Sequence, residues 1–268
     1  MPSVNTGKHV IKSIKVYKDH VTISFLRDKI QVSKEAYLST YLYIGKNLTK
    51  KEIDKLLEIT AFSALLNYAL GAINKKRYSE RKMFEKLKAK EDNKQAIFAV
   101  INKLKASGLL NDKELMDDLI AYDHERLFGK NKILKHLKEQ GITDELINKA
   151  VFSHSQELKK AKGLIPKLDK KYSRYGSENR KKHVYQALLV QGFDSDIAKE
   201  AVNLIKEDKP QVEKEKLKRD YQKIKNRYMN KYEGYELKQK IYAALANKGY
   251  KHQMIKIILE ENDYENDF

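Results

Sequence analysis

Cysteine is absent from the 268 residues, proline occurs only three times, and no apolar run approaches the roughly 20 residues of a membrane span. Without cysteine there are no disulfides, zinc–thiolate sites or thiol chemistry, and a reducing compartment is expected. The N-terminal MPSVNTGKHV has no apolar core of the signal-peptide kind, so a cytoplasmic, membrane-free protein is the expectation. Catalytic vocabulary is also missing. The seven histidines (9, 20, 124, 136, 154, 183, 252) form no HExxH pair and no metal-ligand spacing, and there is no glycine-rich phosphate loop or nucleophile elbow. Asp117, Asp118, Asp123 and Glu125 lie close together, and a solvated helix face accounts for them. These observations predict a protein that is not an enzyme and carries no cofactor or metal.

Positive charge is abundant. A net charge of +18 and a pI near 9.6 point to a polyanion or an acidic protein surface, the plainer alternative being lysines that are mostly solvated. With 41% hydrophobic residues the chain can still bury ample apolar surface.

The chain repeats itself. ILKHLKEQGI (133–142), VYQALLVQGF (184–193) and IYAALANKGY (241–250) align on Leu137, Leu188 and Leu245, each followed four residues later by Gly141, Gly192 or Gly249 and then by an apolar residue. A helix ending in a left-handed glycine brings the residue four before that glycine against the residue after it, so the spacing predicts three capped helix ends. MFEKLKAKED (83–92) is a degenerate copy in which Leu87 keeps the leucine place and Glu91 replaces the glycine. The glycine places are 50, 51 and 57 residues apart, far from a 34-residue tetratricopeptide period.

Residues 1–48 differ from the rest. Short β-branched and aromatic runs at Val10–Tyr17, Val21–Phe25 and Lys29–Val32 predict a small antiparallel meander, followed by a short helix over 33–42 and a break at Gly45-Lys46-Asn47. From Thr49, whose pairing with Glu52 fits a capping box, the chain reads as helical. Three-helix units are predicted over 49–108, 109–154, 155–206 and 207–268. Each consists of a helix, an aromatic-containing turn, the motif helix and a last helix, the final unit ending in an acidic tail of Glu260, Glu261, Asp263, Glu265 and Asp267. The last helix of the second unit is expected to carry Leu146, Ile147, Ala150 and Val151 behind a Thr143 cap. The fold class is therefore mainly α, with tandem three-helix repeats in an elongated curved array behind a small β-meander.

The motif helices begin with cations, against the sign that a helix N-terminus prefers. These are Arg81 and Lys82, Lys130 and Lys132, Arg180, Lys181 and Lys182, and Lys238 and Lys240. Phosphates favour such starts, so these positions are candidate contacts to an anionic partner, set against the plain tolerance of exposed helix sites for lysine. The densest patch, 159–182, holds ten Lys or Arg against Asp169 and Glu178 and so carries +8 of the +18. It includes Lys170, Lys171, Tyr172, Arg174 and Tyr175, a mixture suited to phosphate contact and base stacking. The turn aromatics Phe128, Tyr172, Tyr175 and Tyr232 also read as staples that set the helix entry angle.

Four features together resemble the RecX regulatory proteins, which modulate the recombinase RecA. They are Tyr78-Ser79 before a basic helix ending in Lys86-Leu87, SGLLND at 107–112, Gly129 with ILKHLKEQGI, and QGFDSDI at 191–197. The resemblance covers about residues 49–206, with the meander and fourth unit as in the longer members; KAKEDN at 88–93 departs from it by lacking the glycine cap. It implies tandem three-helix units, a monomer without cofactor, and binding to the RecA filament with inhibition of strand exchange and ATPase activity. Single- and double-stranded DNA would be accessory partners. The competing classes are a general DNA-binding helical repeat that acts without RecA and a purely structural scaffold.

Overall fold

A computed structural model describes residues 9–262, as five short strands and thirteen helices. Strands β2 (Ser13–Val16), β3 (Val21–Ser24) and β4 (Lys29–Val32) form the expected meander, with Val21 opposite both Val16 and Val32. A second, two-stranded ladder not foreseen from sequence pairs β1 (His9–Val10) with β5 (Asn47–Leu48). Gly45, at φ 95°, makes the turn that brings β5 back, its N–H donating to the Ile11 carbonyl. The helix predicted over 33–42 is shorter, α1 at Lys34–Leu38, capped by the Ser33 hydroxyl.

The Thr49–Glu52 capping box opens α2 (Lys50–Ile73), and both reciprocal hydrogen bonds are present. No charged residue occurs from Ile59 to Asn74, and by length and composition α2 would reach across a bilayer, which corrects the reading that no such run exists. Here it holds two cores together. Leu56 packs with Ile11, Ile23 and Val32 under the sheet, while Leu65, Ala69 and Ala72 pack on α3 (Glu80–Lys88) and α4 (Lys94–Ala106) through Met83, Leu87, Ile97 and Val100.

By contact density the described chain falls into two compact units. One comprises the N-terminal residues through Met116 with Gln140–Thr143, and the other comprises Asp117–Glu139 with Asp144 onward. Helix α5 (Asp112–Glu125) belongs in part to each. The second unit contains α6 (Lys130–Glu139), α7 (Asp144–Ile147), α8 (His154–Tyr172), α9 (Ser177–Val190), α10 (Ser195–Val202), α11 (Pro210–Tyr228), α12 (Gly234–Asn247) and α13 (His252–Glu261). Helices α8–α10 share one core, around Leu164, Val184, Leu188, Phe193 and Ile197. Helices α11–α13 share another, around Leu217, Tyr221, Leu245 and Ile255.

Helix α7 corrects the sequence reading. It ends at Ile147, and Val151 lies outside any helix and is 91% exposed, because Asn148–Ala150 close as turns on Asp144, Leu146 and Ile147 rather than continuing the helix. Of the acidic tail, Glu260 and Glu261 lie on α13, while Asp263, Glu265 and Asp267 fall outside the described residues.

The glycine caps form as the spacing requires. Gly141, Gly192 and Gly249 have φ of 83°, 92° and 86°. The N–H after the glycine reaches back to the leucine carbonyl, from Phe193 to Leu188 at 3.1 Å and from Tyr250 to Leu245 at 3.4 Å.

Candidate polyanion interface

The glycine caps also receive the start of the preceding motif helix. The Ser79 hydroxyl, at the cap of α3, donates to the Gln140 carbonyl at 2.6 Å. Gly129, just before α6, donates its N–H to the Gln191 carbonyl at 2.9 Å, and Gly176, the cap of α9, donates to Lys248 at 3.0 Å. A Cβ on Gly129 would stand 2.3 Å from the Gly192 carbonyl carbon, and one on Gly176 would stand 2.7 Å from the Gly249 oxygen, so no side chain fits at either place.

An acid then closes the starts of α3 and α6, and near α9 a third acid engages side chains instead. Asp112, at the head of α5, accepts from the Glu80 N–H at 2.8 Å. Glu157, in the first turn of α8, accepts from the Lys130 N–H at 2.9 Å. Just before α11, Asp208 takes the Arg180 guanidinium at 2.8 Å and the Lys216 ammonium at 2.6 Å. Asp112 and Glu157 occupy positive helix ends that the sequence leaves as candidate phosphate sites. Burial raises the Asp112 carboxyl above its usual range, although the Glu80 amide works the other way.

Arg180 is therefore corrected from a partner contact to an internal residue. It is 4% exposed, and besides Asp208 its guanidinium meets Asp169 at 3.1 Å and donates to the Lys206 carbonyl at 2.9 Å. Within the dense 159–182 patch, Lys160 is also internal. Its ammonium lies 2.6 Å from Glu157 and donates to the Phe128 carbonyl at 2.6 Å. A third departure is Asp123, which was read as part of a solvated face but is fully buried, with its carboxylate 2.7 Å from His136 Nδ1.

Burial by itself would raise the Asp208 carboxyl, but the hydrogen bonds from Lys216 and Arg180 outweigh it and hold the group below its ordinary 3.8. A depressed carboxylate contributes stability above its unfolded value and loses it as pH falls through the folded one. The stability difference between the native chain and Asp208→Asn should therefore be full at pH 6 and shrink below about pH 4, as read by thermal melts followed by circular dichroism.

The other predicted residues lie at the surface in several settings. Arg81 and Lys82 both pair with Glu85, at 3.3 and 3.1 Å along α3, which offsets their unfavourable place at a helix start. Lys130 is half-buried. Lys132 sits 3.8 Å over the Phe128 ring and donates to the Gln191 side chain at 2.9 Å. Lys170, Lys171, Arg174 and Lys182 are exposed, and Lys181, half-buried, lies 3.5 Å from Glu207. Arg174 lies over the Tyr175 ring and donates to its hydroxyl at 3.0 Å. Lys238 and Lys240 are exposed on α12, Lys240 over Tyr232 at 5.1 Å.

Two grooves gather cations in the second unit. One, of about 570 Å³, is lined by Arg126, Phe128, Lys132, Lys135, His136 and Glu139 among others, and the second, of about 440 Å³, includes Lys167, Lys171, Tyr172 and His183. Lys132, Lys171, Tyr172 and Phe128 are among the residues expected from sequence and Lys167 falls within the dense 159–182 patch, whereas Arg126, Lys135 and His183 are not among them. Lys135 lies three residues after Lys132, and Lys167 four before Lys171, so helical spacing carried the signal.

No protein-family model matches the chain. Among curated proteins it is similar to the regulatory protein RecX of Lactococcus lactis, 28% identical over 243 residues that cover 87% of this chain and 89% of the relative. The RecX of Bacillus subtilis is 28% identical over 248 residues, covering 90% and 93%. In structure it resembles a crystallised regulatory protein RecX at a TM-score of 0.60 and 21% identity, covering 72% of this chain and 98% of that one. RecX from Lactobacillus salivarius superposes at 0.50 and 25% identity, over 54% and 97%. These relatives are named as regulators rather than enzymes. The chain is thus similar along nearly its whole length to RecX regulatory proteins, and it shares a helical fold with a solved one.

Proposed function

We propose that the protein binds the RecA–DNA filament and lowers recombinase activity, acting from the cytoplasm as a monomer without a cofactor. The observation that carries this reading is the family-wide similarity together with a surface whose exposed cations, Lys170, Lys171, Arg174 and Lys182, are not consumed by the ion pairs that hold the fold. Further basic positions recur on α6 and α12. Weak contacts spread over several helices gain from being linked, so the whole surface binds more tightly than any one patch.

The test uses the four-site variant with Lys170, Lys171, Arg174 and Lys182 changed to glutamate, leaving Arg180 in place. It should inhibit RecA ATPase and strand exchange at least tenfold less well than the native chain when both are held far below the RecA concentration. Unchanged inhibition by the folded variant rules the patch out. Naked-DNA binding in the same buffer separates the second reading, favoured by the two basic grooves, that the protein acts on DNA without RecA. That reading requires tight binding that weakens steeply with salt, together with no effect on RecA.

A further inference from the structure

One end of the N-terminal unit presents apolar side chains to water. Leu38, Tyr41, Tyr43 and Ile44 are each more than half exposed, Tyr41 at 83%, and the two tyrosine rings meet at 5.6 Å. Leu26, also exposed, belongs to the same end of the meander, because Lys12 donates its N–H to the Ser24 carbonyl while the neighbouring Ile11 carbonyl receives the Gly45 N–H. The 39–46 loop is held in place from within. Leu42 is buried in the core beneath it, the Lys46 ammonium donates to the Tyr41 carbonyl at 2.8 Å, the Lys46 N–H donates to Tyr43 at 3.1 Å, and the Ser39 hydroxyl donates to Ala36 at 2.8 Å. With those backbone groups satisfied, the side chains on either side of Leu42 are fixed outward. Two tyrosines and three aliphatic side chains so exposed amount to roughly a few hundred Å², the size at which an apolar patch marks an interaction site.

The surroundings of the patch are basic. Lys34 lies one turn before Leu38 on α1, Arg27 follows Leu26, and Lys50 and Lys51 open α2, all four of them exposed. The first turn of α2 is tied to the loop by Lys46, which reaches both the Tyr41 carbonyl and, at 3.6 Å, Glu52. Against these cations stand the exposed Asp28 and Glu35, while Glu52 is taken up by Thr49 and Lys46. We propose that this end of the N-terminal unit docks reversibly on an anionic lipid bilayer, with Tyr41, Tyr43 and Ile44 entering the headgroup boundary and the lysines facing the lipid phosphates. A tyrosine, apolar along its ring and polar at its tip, suits that boundary. The net charge of +18 draws the chain to an anionic leaflet before the loop meets it. Stable attachment takes two signals, and an apolar projection and a basic surround occur together here. A cleft in a partner protein would have to match side chains from three separate segments, whereas a bilayer yields to them. The binding needs no recombinase, so it goes beyond the regulatory reading.

Flotation of the full chain with vesicles tests it at moderate salt. Vesicles of equal parts phosphatidylglycerol and phosphatidylcholine should be bound at least tenfold more tightly than phosphatidylcholine alone. Tyr41→Ser with Ile44→Ser, at exposed positions that leave the core intact, should weaken that binding at least fivefold. Lys50→Glu with Lys51→Glu, in a first helical turn where acids are favoured, should do the same. The matched charge change Lys162→Glu with Lys167→Glu, at exposed sites on α8, should weaken it less than twofold. The sequence contains no tryptophan, so Tyr43→Trp reports on the loop alone. Its emission should move to the blue when the mixed vesicles are added and be quenched by brominated lipid, whereas Val151→Trp, at an exposed position in the second unit, keeps its aqueous emission. A Tyr43→Trp signal that stays aqueous while the chain floats with the vesicles, or binding indifferent to the serine pair, overturns the proposal, since charge alone then accounts for adsorption. Absence of vesicle binding overturns it as well, and loss of RecA inhibition by the folded serine variant in lipid-free buffer then assigns the patch to a protein cleft.

Discussion

Replacing Arg180 with glutamate should unfold the α8–α10 helices under conditions where the native chain is stable. The guanidinium joins Asp169 on α8 to Asp208 ahead of α11 and also fills the Lys206 carbonyl, and it is 4% exposed. Removing one member of a buried ion pair costs about 3–5 kcal/mol, because the partner charge stays buried without compensation. Charge reversal adds a third carboxylate to the two already there. Against a total stability of roughly 5–15 kcal/mol for a domain, that loss is large. Thermal melts should show the shift directly, with Lys182→Glu, two residues on and exposed, changing the midpoint little. An Arg180 variant that melts with the native chain would mean that the pairs contribute nothing net. Loss of RecA inhibition in a triple 180–182 reversal would accordingly report unfolding as much as contact.

Gly192→Ala should be comparably damaging, for two separable reasons. At φ 92° an alanine is strained by roughly 1–2 kcal/mol, and its Cβ would sit 2.4 Å from the Lys132 amide nitrogen, where backbone must move. Overpacking of that kind adds about 1–3 kcal/mol. Gly108 provides the control. It has φ 69° but nothing within 4 Å of a built Cβ, so Gly108→Ala should show the strain alone. Urea denaturation of the two variants measures the difference. Equal losses would show that the close approach of the Gly129 turn to the Gly192 turn is energetically idle.

The glycine-capped helix ends and the start of α2 were readable from sequence because each is fixed locally. Leu188 and Gly192 are four residues apart, Thr49 and Glu52 three, and Asn93 caps α4 with its own side chain. Failures occurred where residues distant in the chain decide the outcome. Nothing near Arg180 in the sequence announces Asp208, 28 residues on, and His136 meets Asp123 only through the packing of α6 on α5. For the same reason the cations at helix starts read as unoccupied anion sites, although Asp112 and Glu157 arrive from 32 and 27 residues away to fill them. The β1–β5 ladder was missed because two-residue strands carry no period. In the candidate grooves, the helical spacing of Lys167 and Lys171 was legible. The seating of His183 between two tyrosines was not.

Each glycine junction has two halves, a helix start and a glycine turn that receives it, and the outermost copies each keep only one. Ser79 caps α3 and reaches Gln140, but the far end of α3 has Glu91 where the later helices have glycine, and its backbone is not left-handed. Helix α12 ends in Gly249, which receives Gly176, yet its own start is Glu233, where α6 and α9 are preceded by glycine. Among the described residues, a glutamate thus stands in each outer copy at the place where the inner copies have glycine. A chain lengthened by copying a middle repeat would keep every junction intact, whereas one extended from either end would first have to lose a glutamate.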